Sequence, residues 1–409
     1  MQQKLFRKRG NTSNYNFNLL CKRIIFYGLL SVFKLLGLSP WKVNLYKILT
    51  ENQDNNQVDL FKASKYGSFY NILLATVLST YCAMVLSLKL YSQTYVKSEL
   101  VDKIDECLMF YGTLVLVVIW LSYVLQQKKM IIIINGLYSI NNNLKSCDRF
   151  TFKSDCRFYI LSVINFCLCF GIIVTECSVS GLYTAILWIG PFFTSSWVLM
   201  QYTLLLNVIS QFFESINLKI LQLADINTEN YYQTALRSKV SLRDLAIKDI
   251  NCISNAIMQL CDICDQVADF YAIPILLIIV YFITSTTFNS YFIILSLIIT
   301  TDNDLLKLSL DFGNWFLIVS FEMISLASNV TRITREFKKT PQYVSLLLNR
   351  CAMNSPTKES LLDFLRDLSY RNVNFNAYGV IALNGSLLQT IYGTIVTYLI
   401  ILIQFRNQQ

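Results

Sequence analysis

TIVTYLIILIQFRNQQ, Thr394 to Gln409, is an apolar run that carries polar side chains at intervals. Thr397-Tyr398 and Gln404-Phe405 bracket the aliphatic residues Leu399 to Ile403. Hydrocarbon rewards apolar side chains and penalises amides, so a glutamine in a membrane span must face something other than lipid. At 100° per residue, Thr390, Thr394, Thr397, Ile401 and Gln404 fall within an arc of roughly 80° on one helix. The other faces are mostly Ile, Leu, Val and Tyr. Such a stripe marks either a helix–helix hydrogen-bonding seam or a water-lined path. One helix cannot enclose a path, but several copies around an axis could each lend a stripe.

The rest of the chain has the same apolar character. Of its 409 residues 54% are apolar and 15% charged, against about 25% charged in an average soluble domain. Mean hydropathy is +0.45. Strand alternation is weak, and long charge-free runs predict an all-α, multi-pass membrane protein. Seven segments qualify as spans: 66–91, 106–126, 157–177, 181–211, 269–299, 312–333 and 376–405. Each can cross about 30 Å of hydrocarbon. The fourth, fifth and seventh exceed one perpendicular crossing and must tilt, bend or project into water. Ahead of them, residues 24–38 are apolar but short, and Lys34 interrupts them. No small-residue cleavage site follows cleanly, so this stretch reads as an interfacial helix rather than a signal peptide.

Charge orients the bundle, because basic residues favour the cytoplasm. The first 50 residues carry Lys4, Arg7, Lys8, Arg9, Lys22, Arg23, Lys34, Lys42 and Lys47. Residues 127–156 and 334–375 are also rich in Lys and Arg, whereas 92–105 and 300–311 are not. The N-terminus is therefore expected inside and the C-terminus outside, the reverse of a G-protein-coupled receptor. The expected organisation is a cytoplasmic segment with an interfacial helix (1–65), four spans (66–211), a cytoplasmic helical extension (212–268), two spans (269–333), cytoplasmic anchor helices (334–375) and a last span (376–409). Ala246, Ile250, Ile253, Ile257, Leu260, Cys264, Val267 and Tyr271 form a heptad-like stripe running into the fifth span. Ser355-Pro356 with Leu361, Leu365 and Leu368 reads as a second helix that packs with it under the membrane.

Several chemistries are excluded. The chain has no His, which removes His–metal sites, His general bases and Ser-His or Cys-His nucleophiles. Cys261-Asp-Ile-Cys264 lacks a second pair and reads as structural. No metal, cofactor, nucleic acid or enzymatic role is expected. Glu322 lies in the middle of the sixth span, where a charge is costly. It could meet a ligand, pair with a cation or be protonated. Arg332 and Arg335, near the inner end, are expected to snorkel. On the fifth span Tyr281, Thr284, Phe288 and Tyr291 share one face, with Trp188 and Trp315 at similar depth. Such aromatic and hydroxyl groups suit a small, mostly apolar ligand, and equally an interface belt. Cys107 and Cys177 both fall near the outer face, where a disulfide can form. The sequons at Asn11, Asn329 and Asn384 fall inside or in the membrane and are expected to stay unmodified.

Thr397-Tyr398, five apolar residues and Gln404-Phe405 resemble the C-terminal signature of insect gustatory receptors. Phe375-Asn-Ala-Tyr-Gly379 and Leu383-Asn-Gly-Ser-Leu387-Leu388 are similar to the same family's seventh-helix region. The resemblance implies a ligand-gated, non-selective cation channel in the plasma membrane of sensory neurons, opened by small-molecule tastants. It implies a homo- or heterotetramer of related subunits, in some cases with a co-receptor, held by the cytoplasmic ends of its helices. The pore would be lined by Thr390, Thr394, Thr397, Ile401, Gln404 and Phe405, with its constriction at Gln404 and Phe405. The ligand site would open to the outside within each bundle. The sugar-sensing branch carries Glu directly after Thr-Tyr. Leu399 stands there, which leaves bitter or other non-sugar tastants, or an internal chemosensory role.

Overall fold

The computed structural model describes residues 26–43, 61–93, 100–147, 150, 152, 156–179, 182–223, 240–241, 244–299, 304–352, 355–377, 381–383 and 385–407. The basic residues before Phe26, the sequons at Asn11 and Asn384, and the side chains of Cys177 and Phe405 lie outside this set.

A short helix, α1 (Phe26–Leu35), comes first. It ends at Gly37, whose φ of 75° lies in the left-handed region that glycine tolerates. A side chain there would also meet Asn71 and Trp120. The turn is locked by Asn71 Nδ2 donating to the Gly37 carbonyl at 2.7 Å and Trp120 Nε1 to that of Leu36 at 2.8 Å. Strand β1 (Trp41–Val43) then pairs antiparallel with β2 (Phe61–Ala63).

The bundle follows as α2 (Lys65–Gln93), α3 (Leu100–Leu125), α4 (Gln127–Lys145), α5 (Arg157–Val179), α6 (Leu182–Leu223), α7 (Asp244–Ile299), α8 (Asp304–Arg350), α9 (Ser355–Tyr370) and α10 (Ser386–Asn407). Seven of these helices, all but α4 and α9, are long and apolar enough to cross a membrane. Two-residue strands pair β3 (Val240–Ser241) with β4 (Cys351–Ala352), and β5 (Asn376–Ala377) with β6 (Ile381–Ala382). The outward faces of α2 and α5 carry Val77, Met84 and Leu88, and Val163, Phe166 and Phe170, a lipid-compatible surface.

Three boundaries differ from the sequence reading. Helices α6 and α8 run far past their apolar spans, as the stripe at 246–271 led one to expect for α7, whose 56 residues reach roughly 84 Å at 1.5 Å per residue. They continue because their extensions are amphipathic and find partners. Residues 127–145, read as a basic linker, form α4, which buries Met130, Ile133, Leu137, Ile140 and Leu144 at helical spacing. Its Lys and Asn residues occupy the opposite face and hid the stripe. The last span is shorter than expected, since the β5–β6 hairpin occupies its first residues and the helix begins only at Ser386.

The core runs along α6, which lies parallel to α8. Phe192 meets Trp315, Ser196 meets Glu322, Asn207 and Glu214 meet Arg332, and Asn217 meets Glu336. Helix α7 runs antiparallel to α6, with Phe192 by Phe282 and Tyr202 stacked on Tyr271 at 4.5 Å. Helices α4 and α9 pack on the projecting half of α7, away from the aromatic end of the bundle. Ser360 Oγ donates to Asn251 Oδ1 at 3.1 Å, and Arg371 pairs with Asp262 at 2.9 Å. Lys219 and Asp249 form a buried ion pair at 3.3 Å between α6 and α7.

Two expectations change here. The stripe from Ile250 to Tyr271, which suited a contact between subunits, is consumed inside its own chain: Ile253, Ile257, Leu260 and Val267 are all buried. Arg332 does not snorkel. Its guanidinium bonds Glu214 at 2.6 Å and is 10% exposed, because a parallel neighbour supplies a carboxylate at the same depth. Arg335 does reach out, 65% exposed.

Candidate functional site

Helix α10 is held to its bundle along one side. Leu387, Ile391 and Ile395 are buried, packed toward α7 and α8. Tyr392 Oη donates to Ser320 Oγ on α8 at 2.7 Å, and its ring meets Phe316 at 5.8 Å. Thr390, Thr397, Ile401 and Gln404 are exposed and Thr394 is half-buried. At 100° per residue the centre of this polar arc stands about 100° from the buried stripe. A hydrogen-bonding seam within the chain is therefore excluded for these side chains. Thr390 Oγ1 donates to the Ser386 carbonyl at 3.1 Å, Thr394 to Thr390 at 2.8 Å and Thr397 to Gly393 at 2.8 Å. Each hydroxyl proton is spent on the helix itself, so the lone pairs of the three oxygens point outward as acceptors.

The residues singled out for a ligand divide into three groups. Tyr281 and Trp315 belong to one aromatic assembly with the buried Phe192 and Phe282 and the half-buried Tyr111. Phe192 and Trp315 have ring centroids 3.9 Å apart, Phe192 and Phe282 5.2 Å, and Tyr111 and Tyr281 6.1 Å. Gly112 permits that last approach, since a Cβ on it would stand 3.1 Å from the Tyr281 ring. Phe288 and Tyr291 are buried further along α7. Trp188 packs elsewhere, against Cys82, Met109 and Leu187. Thr284 is exposed and donates only to its own helix, at Val280 and Tyr281, so it does not join the buried face.

Glu322 is 2% exposed and accepts a hydrogen bond from Ser196 Oγ. Ser196 also lies 3.4 Å from Asn165 Oδ1 and 3.5 Å from Cys169 Sγ. Three helices, α5, α6 and α8, thus converge on one polar cluster. Asn165, Ser196, Phe192 and Tyr392 were not identified from sequence. Their partners lie far along the chain, 126 residues apart for Ser196 and Glu322, and no local pattern marks such a pair.

The family described as 7tm chemosensory receptor matches residues 26–409. Two Drosophila melanogaster proteins named gustatory receptor 28a and 28b are 27% identical over 169 residues and 26% identical over 152 residues. These matches cover 40% and 36% of this chain, and span about a third of the length of the curated relatives, 36% and 32%. The fold is that of the insect olfactory receptor OR5 from Machilis hrabei, with a TM-score of 0.61 at 12% identity over 94% of this chain and 99% of the other. The same receptor in complex with eugenol gives a TM-score of 0.62 at 11% identity, over 94% and 98% of the two chains. With seven membrane-crossing helices and a family match from Phe26 onward, this chain is a multi-pass membrane protein that belongs to the 7tm chemosensory receptor family, a family of receptors and not of enzymes.

Proposed function

We propose that the chain is one subunit of a ligand-gated cation channel opened by small-molecule tastants other than sugars, with α10 lining a central pore shared by four subunits. The observation that carries this reading is the polar face of α10, turned away from its own bundle. In lipid, that row of oxygens and the Gln404 amide would be penalised, whereas around a shared axis it faces water and ions. A neutral amide offers cations a dipole without trapping them. Subunits are the same chain or related ones, and a co-receptor fits the same geometry. The N-terminus is cytoplasmic and the C-terminus extracellular. The clustering of α4, α9 and the projecting half of α7 at one end supports this orientation, since the basic segments read as cytoplasmic then share a side. The aromatic assembly around Phe192, Trp315 and Tyr281 is the ligand-binding region, and eugenol bound to the structural relative supports a small aromatic ligand. Leu399 favours non-sugar ligands.

The test compares Gln404→Arg and Gln404→Glu for surface labelling and tastant-evoked current. A ring of arginines in a narrow, poorly screened passage repels cations, so Gln404→Arg abolishes current while surface labelling survives. Gln404→Glu conducts with raised divalent permeability or block. Well-expressed variants of both kinds with unchanged selectivity would remove Gln404 from the pore.

A further inference from the structure

The cluster around Ser196 leaves two buried polar atoms unused. A serine hydroxyl carries one proton, so Ser196 serves Glu322 Oε1 and cannot also serve Asn165 Oδ1. Glu322 Oε2 and Asn165 Nδ2 are buried without a partner. Among the described residues no Lys or Arg pairs with Glu322; the cations of α8 at Arg332, Arg335 and Lys339 are engaged with Glu214 and Glu336. A carboxylate in such surroundings calls for a positive partner.

The neighbouring rings favour the same sign of charge. Trp315 lies seven residues before Glu322, two turns away on the same face of α8. Phe192 lies four residues before Ser196, one turn away on α6. These two rings touch, and Phe282 closes on Phe192 from α7. Aromatic faces attract cations, most strongly when desolvated. An aromatic wall beside a buried carboxylate with an open valence is complementary to a ring that carries an ammonium group. The ammonium donates to Oε2, and a flipped Asn165 amide offers its oxygen to a second N–H.

We propose that Glu322, with Ser196 and Asn165, is the subsite for the protonated amino group of a lipophilic aromatic amine, whose ring is held by Phe192 and Trp315. This assignment rests on the small-molecule receptor reading above and names its ligand class.

The experiment uses the full chain purified in detergent, with 2-phenylethylammonium and its neutral analogue 2-phenylethanol as probes, read by melting temperature and Kd. The expected result is that the ammonium raises the melting temperature and binds at least about tenfold more tightly than the alcohol. Glu322→Gln removes that advantage and leaves the alcohol unchanged. Where Glu322→Gln fails to fold, the ratio of the two probes on the unaltered chain still decides. Equal binding of the probes, ammonium binding that survives Glu322→Gln, or no ammonium binding at millimolar concentration overturns the assignment. So does an equal stabilisation by sodium chloride, which makes the cluster an inorganic-cation site. Currents evoked by neutral tastants in a chain that shows no preference for the ammonium would leave the channel reading standing and remove only the ammonium subsite. Ammonium binding without any evoked current would do the reverse.

Discussion

Helices α6 and α10 both place a polar residue on nearly every turn of an apolar background, yet they end in opposite surroundings. The chain itself covers 83% of the apolar window of α6 and only 17% of that of α10. Along α6, Ser196, Asn207, Glu214 and Asn217 each find a partner on α8. Along α10, the threonine hydroxyls find only their own backbone. Polar residues in a span are thus ambiguous by themselves. Those of α6 hold one chain together, and the threonines of α10 are left facing outward from it.

The comparison breaks most sharply in the layer that packs against the extensions of α6 and α8. Ile253→Asp with Ile257→Asp puts two carboxylates into positions 2% and 0% exposed. The cost is several kcal/mol, enough to abolish folding. Monodispersity in detergent is expected to be lost, and the subunit itself fails rather than its assembly. A folded monomer with only tetramer assembly lost would return the stripe to a role between subunits. Glu214→Leu is the next largest effect. It leaves the largely buried Arg332 without its carboxylate, which costs about 3–5 kcal/mol and lowers the melting temperature.

On α10 the expected pattern inverts. Thr394→Val and Thr397→Val remove hydroxyls that bond no other element, so stability should stay within about 0.5 kcal/mol of the parent. Conductance and selectivity should change, because the outward lone pairs disappear. A large stability loss with unchanged currents would make α10 a second α6. The smallest effect concerns Cys147, at the end of α4. Burial pushes its thiol up to about 12, helped by the adjacent Cys252 and by Asp249. Below that pH the unreactive thiol dominates, so at pH 7.5 iodoacetamide should label Cys147 at least about tenfold more slowly than the exposed Cys107.

The same contrast explains what sequence could reveal. Seven spans were legible because long apolar runs have no competing reading at this length. The polar arc of α10 was legible because five residues share one helix and one face. Helix α4 was not, since its buried stripe is interleaved with Lys128, Lys129 and Asn141 to Asn143. The extension of α7 was legible from its stripe at Ala246 to Tyr271, whereas those of α6 and α8 were hidden because their amphipathic pattern gains meaning only from neighbours. Within the candidate site Glu322 announced itself by its cost in a span. Ser196 and Asn165 did not, because small polar residues are common in membrane helices and only tertiary pairing distinguishes these two.

Helix α8 presents opposite faces to the two regions. Trp315 and Glu322 look toward α6, while Ser320, only two residues from Glu322, is bonded to Tyr392 on α10. Two residues are 200° of helix, so the polar cluster and the Tyr392 bond sit on nearly opposite sides of one rod. Such a rod acts as a camshaft. With an outer radius of about 5–6 Å, a rotation of 20° sweeps both surfaces by roughly 2 Å in opposite directions. That displacement is of the order that makes or breaks a hydrogen bond such as the 2.7 Å contact between Tyr392 and Ser320. A turn of α8 at its buried face would therefore be felt, through Tyr392, by the helix that carries Thr394, Thr397 and Gln404.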